Sequence, residues 1–394
     1  MLIPVILFWV SLSILFFCYI GYGLLLFLFN KTMSLLRRSP NVVMETPWMP
    51  VTLIITAYNE GEVLKRKIEN TLAIDYPREK LKVIFVTDGS TDGSEKIISQ
   101  QSTFTVLHQA ERLGKMAAIK RAMAQVQTPI VVFSDANTEL NTECIKKIAS
   151  HYTNPRTGGV AGEKKIISDP NTSAVGEAEG LYWKYESFMK KQDAAFNTVV
   201  GAAGELFSIR SSLFVPLPDR IILDDFVISM KVCLQGFRIE YEPEAFATEF
   251  PSASLNDEAR RKVRISAGAY QCIGYLKQAL NIFHHPLLSF QYISRRVLRW
   301  VFCPLMLIVL LFSNIIIASN DSSALFKLFM FAQVVFYMLA FFGWRIIASG
   351  SRAGILTIPF YFVFMNYCLV RGCIRFLKGK HTVLWEKSSR DAAH

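Results

Sequence analysis

The chain has 394 residues, of which 52% are hydrophobic and 30 are phenylalanine, and its formal net charge is +11. The apolar excess lies at the two ends, which points to membrane segments rather than an oversized core. Seven scattered cysteines offer neither a zinc nor a disulfide framework and suit a reducing compartment.

Basic residues cluster at Arg37-Arg38, Lys164-Lys165, Lys190-Lys191, Arg260-Arg261-Lys262 and Arg295-Arg296. Such clusters beside apolar helices suit an anionic membrane leaflet or a phosphate-bearing substrate. No basic helix with interleaved aromatics is present, so nucleic acid is not expected as a partner.

Taken in order, residues 3–29 form a charge-free apolar run long enough to span a bilayer. The run has none of the basic start, short core or cleavage site of a signal peptide. Lys31, Arg37 and Arg38 follow it, so the positive-inside rule puts the next two hundred or so residues in the cytosol. The expected organisation is a transmembrane helix at 1–30, a cytosolic catalytic domain at 31–250, amphipathic interfacial helices at 251–300, about three membrane segments in 301–370 and a basic tail at 371–394.

Within the cytosolic part, short apolar runs alternate with amphipathic ones. Strands are predicted at Val51–Thr56, Lys82–Thr87, Phe104–Leu107, Ile130–Ser134, Gly159–Gly162 and Leu206–Arg210. Helices are predicted at Glu62–Leu72, Lys115–Val126 and Asn141–Ser150, and this alternation predicts an α/β, mostly parallel sheet. The stretch Leu81–Gly93 is its centre: a buried strand, then Thr87-Asp88-Gly89-Ser90, then a helix with Ser90 or Thr91 as its expected N-cap. Neither GxGxxG nor GxxxxGK[ST] occurs, which excludes dinucleotide and P-loop fingerprints.

Residues 255–300 repeat Val263, Ala267, Tyr270 and Ile273 at helical steps among many bases, as expected of helices on a membrane surface. Apolar segments follow at 301–318, 325–343 and 354–370. Alternate crossings would put the tail outside, whereas Arg371, Arg375, Lys378 and Lys380 ask to stay inside. Either one segment is re-entrant or the tail breaks the rule.

Several strands end in polar groups at one sheet edge. These are Tyr58-Asn59-Glu60, Asp88 and Asp135-Ala136-Asn137, with Gly114-Lys115 opening a helix whose N-terminus favours anions. Asp224-Asp225 opens another helix, where an acidic pair ordinarily serves as a cap. Each motif alone has a plain structural explanation.

Their order, together with Gly201-Ala-Ala-Gly204, resembles glycosyltransferase family 2 over about residues 50–270. These are inverting nucleotide-sugar enzymes that include membrane synthases of cellulose, chitin, hyaluronan and poly-N-acetylglucosamine. The resemblance implies a nucleotide-sugar-binding fold of GT-A type. Tyr58, Glu60, Asp88, Lys115, Asp135 and Gly204 would then bind the donor. Asp135 would handle ribose and, with Asn137, a divalent metal, Mg2+ or Mn2+. Asp225 matches the catalytic base, beside Asp224. Acceptor contacts are expected from Arg261, Arg264 and Trp183, although aromatics on a helix such as Tyr182-Trp183-Lys184-Tyr185 pack more often than they bind sugar.

Two departures qualify the resemblance. Asn137 stands where the family's Asp-x-Asp has its second carboxylate, which lowers the charge offered to a hard cation. Processive members carry Gln-x-x-Arg-Trp, whereas this chain reads Arg261-Lys262-Val263-Arg264-Ile265. Arg296–Trp300 spells Arg-x-x-Arg-Trp, but it abuts a membrane segment, where Trp300 is expected as an interfacial anchor. His284-His285 lacks a third metal ligand.

The expectation is a multi-pass cell-membrane enzyme with a cytosolic catalytic domain. It would transfer sugar from a UDP-sugar to a growing polysaccharide or glycan, in contact with membrane lipids and with an export or accessory subunit as a candidate partner. The alternatives are single transfer to a polyprenyl phosphate or other lipid-linked acceptor, and an inactive subunit of an export complex.

Overall fold

Among the described residues, eight strands make one sheet: β1 (Val51–Ala57), β2 (Leu81–Asp88), β3 (Thr105–Gln109), β4 (Ile130–Asp135), β5 (Glu139–Leu140), β6 (Thr157–Ile166), β7 (Phe207–Arg210) and β8 (Arg238–Glu249). The computed structural model describes residues 2–36, 48–167, 174–252, 254–320 and 323–379. Arg37-Arg38, Lys380, Trp385-Glu386-Lys387 and the rest of the basic tail lie outside the described residues.

The strand order is β3-β2-β1-β4-β7-β6-β8-β5. The four strands that carry the first motifs pair in parallel, β3 to β2, β2 to β1 and β1 to β4. β7 runs antiparallel to β4 and β6, and β6 pairs in parallel with β8. The sheet is therefore α/β and parallel where the motifs lie, and mixed beyond β4.

Two strands escape sequence reading. β5 is two residues long, and β8 contains four glutamates and Pro243, with an irregular register opposite Gly162 and Glu163. Glu and Pro are poor strand formers, so no apolar run marks it.

Side chains alternate between the faces of the sheet. Leu53, Ile55, Val83 and Phe85 pack on one side with the helices Gly61–Leu72 and Cys144–Ser150. Ile54, Ile84, Val86 and Val131 pack on the other with Phe226, Val227, Cys272, Tyr292 and Trp300. Burial on both faces is why the first strands read as unbroken apolar runs.

The helix after β2 is capped differently from the expectation. It runs Ser94–Ser99, Gly93 precedes it at φ 78°, and Asp92 Oδ1 accepts from Ser94 N at 3.1 Å. Ser90 instead accepts from Asn59 N at 3.1 Å, tying the loop after β2 to the loop after β1.

Among the described residues, four helices are long and apolar enough to cross a membrane: Leu2–Leu36, Pro286–Asn320, Ala324–Ala348 and Gly354–Leu377. The basic residues before the second apolar segment do not face a leaflet as expected. They belong to a π-helical stretch, Ile293–Phe302, that runs straight into the membrane helix. Arg295 and Arg299 are buried there, paired with Glu186 and Asp193 of the helix Ala174–Phe196. The reason is desolvation: guanidinium groups this deep require carboxylates, and the helix Ala174–Phe196 supplies them. Trp300 is likewise no exposed anchor. It is 8% exposed, its ring lies 5.4 Å from that of Phe226, and its carbonyl accepts from Tyr270 Oη at 2.6 Å.

Candidate active site

Strand ends and helix starts build the site from two neighbouring groups of residues. The first surrounds Asp88, at the carboxyl end of β2 and 2% exposed. Its Oδ2 accepts from Gly114 N at 2.6 Å and Leu113 N at 3.1 Å, and its Oδ1 accepts from Arg121 Nη1 and Nη2 at 3.2 Å. Asp88 thus fixes the loop 111–114 rather than standing open. Gly89 is required beside it, because at φ 68° any Cβ would meet Arg112. The Arg112 guanidinium lies 3.7 Å from the centre of the Tyr58 ring. Asn59, at φ 51°, holds the turn by accepting from Thr91 N at 2.8 Å. The Glu60 carbonyl accepts from Val63 N and Leu64 N and starts the next helix.

The second group centres on Lys115, the residue after the glycine that binds Asp88 and the first of the helix Lys115–Met123. Its Nζ donates to Asp135 Oδ1 at 2.7 Å and lies 4.0 Å from Asp224 Oδ2. Gly204 closes the group: a Cβ there would stand 3.1 Å from Lys115 Nζ and 3.2 Å from Asp225 Oδ2. Residues from four distant parts of the sequence therefore meet at the carboxyl edge of the parallel strands, where α/β sheets bind ligands.

The charges here do not balance at close range. Burial, then the neighbouring Asp224, pushes the Asp225 carboxyl up to about 7, against the pull of Lys115. Burial also raises Asp135, although Lys115 opposes it. Burial alone would lower the Lys115 ammonium, but Asp135, Asp224 and Asp225 together raise it above its usual range. Asp224 Oδ2 is buried with no hydrogen-bond partner among the described residues. A site with surplus negative charge and an orphaned carboxylate oxygen fits an additional cation.

Beneath the Asp135 turn, and missed by sequence reading, lies Lys67. It is 1% exposed and donates to Ser134 Oγ at 3.0 Å and Thr138 O at 2.7 Å. Burial brings its amine down to about 7. The available signal was a lysine on the same helical face as the buried Leu64, Ile68 and Thr71. Asn137 Nδ2 donates to Glu249 Oε1 at 3.0 Å, which leaves the amide oxygen as the atom to offer a metal.

The three residues expected at the acceptor behave differently from one another. Arg261 is committed to Glu179 and Glu258, with its side chain 11% exposed and both carboxylates at 0%. Trp183 is flanked by Lys164 Nζ at 4.8 Å and Lys190 Nζ at 5.6 Å from its ring centre. Arg264 alone faces the acidic group, drawn to Asp224, Asp135 and Asp225, with no hydrogen bond or close ion pair among the described residues.

Comparison with known proteins follows the same lines. Residues 52–214 match the family model for glycosyl transferase family 2. Poly-beta-1,6-N-acetyl-D-glucosamine synthase of Staphylococcus aureus is 24% identical over 231 residues, 57% of this chain and 55% of that protein. The synthase of the same name from Staphylococcus epidermidis is 24% identical over 254 residues, 62% of this chain and 59% of its own length. The chain thus spans little more than half the length of these relatives. Among solved structures, a mannosyltransferase from Pyrobaculum calidifontis, in complex with GDP-Man and Mn2+, matches 95% of this chain and 99% of its own. Its TM-score is 0.70 at 18% identity, a likeness of fold.

Proposed function

We infer that this chain, which carries a glycosyltransferase family 2 domain, transfers a sugar from a UDP-sugar, with inversion, to a hydroxyl of a growing glycan. The observation that carries the reading is the meeting of Lys115, Asp135, Asp224 and Asp225 at one sheet edge, with Asp225 buried and pushed up to about 7. A carboxylate with that pKa is suited to take a proton at cytosolic pH. Asp225 is the base toward the acceptor hydroxyl. Asp224 keeps its neighbour's charge costly and so its basicity high. Lys115 and Arg264 supply positive charge to the departing diphosphate. Tyr58 and Arg112 offer flat faces to the nucleobase, and Asp88 holds the loop that carries Lys115.

A divalent cation, Mg2+ or Mn2+, fits beside Asp135 and Asn137, where negative charge is in surplus. Among the described residues no group of three or more His, Cys, Asp or Glu side chains forms a metal cage. Cations of this kind are commonly held by one or two protein ligands plus substrate phosphates. When bound, the ion neutralises charge growing on the leaving group. The mannosyltransferase with GDP-Man and Mn2+ supports a nucleotide sugar and a divalent ion in a fold of this type. The synthase relatives support a polysaccharide product.

In the membrane, the reading is three crossings with the catalytic domain cytosolic. The fourth apolar helix, Gly354–Leu377, packs on the domain and also against the first and third apolar helices, where Asn366 Nδ2 donates to Tyr19 Oη at 2.9 Å and Phe362 lies 5.6 Å from Phe336. The support for keeping it on the domain's side is a parallel register with the helix Leu255–Tyr275. Tyr361 Oη donates to Glu258 Oε1 at 3.0 Å, Gly372 packs on Ser266, and Phe376 stacks on Tyr270 at 6.3 Å. Kept on that side, Arg371, Arg375 and Lys378 join Arg345 and Arg352 as the positive-inside rule asks. Single transfer to a lipid-linked acceptor is the second reading. It is favoured by Ile265, which gives the acceptor no flat face, and by the committed Arg261.

Purified protein with a panel of UDP- and GDP-sugars, and products weighed with and without a polyprenyl phosphate, tests these readings. A UDP-sugar should be turned over into polymer. Turnover of GDP-sugars alone refutes the donor, and product only with the lipid added selects the second reading.

A further inference from the structure

A cavity outside the active site has a volume of about 330 Å³ and opens at the amino edge of the sheet. Its wall combines Arg156 and Arg238 with His285, and the apolar side chains of Phe237, Pro286 and Leu287. No carboxylate is among its lining residues. Strand pairing unites the two arginines, since Arg238 N donates to Arg156 O at 2.9 Å. Neither guanidinium has an ion-pair partner within 4.0 Å among the described residues. Glu240, two residues along the strand, attracts Arg238 only from farther away. Two guanidinium groups and an imidazole facing one hollow demand an anion with several acceptor oxygens.

The position of the hollow identifies the kind of anion. Asn197 lines it, and the preceding Phe196 meets edge-on, at 5.2 Å between ring centres, Phe29, the last apolar residue before Asn30-Lys31. Phe196 also lies 6.0 Å from Phe290, just past the cavity's Leu288. The cavity therefore stands level with the end of the apolar run of the first membrane helix, where headgroups begin. Just before the cavity's His285 in the chain, Phe283 is 90% exposed and Ile282 51%, and the lining residue Leu287 is 48% exposed. Large apolar side chains that open, on a loop at this height, suit insertion among acyl chains. The chain has no acid from residue 259 to 320 to repel an anionic surface.

We propose that this cavity binds the phosphate headgroup of one anionic phospholipid. Arg156, Arg238 and His285 grip the phosphate, while Phe283 and Leu287 lie against its acyl chains. The site is separate from catalysis, and the proposal stands independently of the sugar the enzyme uses. Bound lipid would fix the amino edge of the sheet against the membrane surface.

Native mass spectrometry of the full-length protein in detergent, with phosphatidylglycerol and phosphatidylcholine added in equal amounts, tests the proposal. One phosphatidylglycerol per chain should be retained in preference to phosphatidylcholine. The double variant Arg156→Gln/Arg238→Gln should lower that preference about thirtyfold, given roughly 1 kcal/mol for each of the two basic groups near an anionic surface. Lys277→Gln, an exposed base outside the cavity, should leave it unchanged. Equal retention of both lipids by the wild type, an unaltered preference in the double variant, or an equal loss in Lys277→Gln each overturns the proposal. Displacement of the lipid by millimolar glycerol phosphate would assign the site to a soluble phosphate and overturn the lipid assignment.

Discussion

Replacing Asp225 by Asn removes the proton acceptor while keeping the shape of the side chain. The Asp225 carboxyl stands at about 7, raised first by burial and then by Asp224. If its ionised form is the base, the wild-type rate at pH 6 should be about one-tenth of its plateau and at pH 8 about nine-tenths. A positioned general base contributes roughly a hundred- to ten-thousand-fold, so Asp225→Asn should lose that much in kcat with nucleotide-sugar affinity little changed. The same group leaves a trace in stability. Its folded-state pKa is raised, so its stabilising contribution is fully present below about pH 4 and is lost as pH rises through about 7. Asp225→Asn lacks that loss, and its thermal midpoint should exceed the wild type's at pH 8 by more than at pH 5. The assay is initial-rate transfer with radiolabelled donor from pH 5.5 to 9, paired with thermal unfolding at the two pH values. A wild-type rate flat between pH 6 and 8, or a variant within tenfold of wild type, would refute the assignment.

Four further outcomes follow from the same geometry. Asn137→Asp restores charge beside Asp135 and should lower the Mg2+ or Mn2+ concentration for half-maximal activity about five- to tenfold, measured by metal titration after chelation. Full activity in excess chelator would remove the metal from the mechanism. Gly204→Ala puts a methyl 3.1 Å from Lys115 Nζ and 3.2 Å from Asp225 Oδ2. It should cut kcat about tenfold with the thermal midpoint unchanged, because small misplacements of reacting groups are costly. Arg261→Gln strands the Glu179 and Glu258 carboxylates and should cost about 3 kcal/mol or more in unfolding free energy; a stable variant with shortened products would instead make Arg261 an acceptor contact. Lys67→Met withdraws the donors beneath Ser134 and Thr138 and should raise donor KM more than it lowers kcat; an unchanged KM would show that the Asp135 turn holds itself.

The parallel half of the sheet and the apolar helices were legible because each is a local pattern. Val83–Val86 is buried on both faces, so its composition alone marks a strand. The order of Tyr58, Asp88, Lys115, Asp135 and Asp225 along the chain likewise carried the family resemblance. β8 was illegible because its glutamates and Pro243 contradict strand propensity, and pairing with β6 and β5 holds it.

For the site, sequence determined which carboxylates and cations stand at strand ends and helix starts. It did not determine what each of them touches. Arg261 and Arg264 lie three residues apart on one helix, alike in charge and spacing. One is locked between Glu179 and Glu258, while the other faces the acidic group around Asp225. Arg295 and Arg299 read as membrane-surface charge, yet both are buried against Glu186, more than a hundred residues earlier. A charge's role depends on the solvent and counter-ions around it, and those are fixed by contacts between distant segments. The residue types and their order belong to the sequence; burial and partnership, which set whether a carboxylate is a base, a clamp or a counter-ion, came only with the tertiary structure.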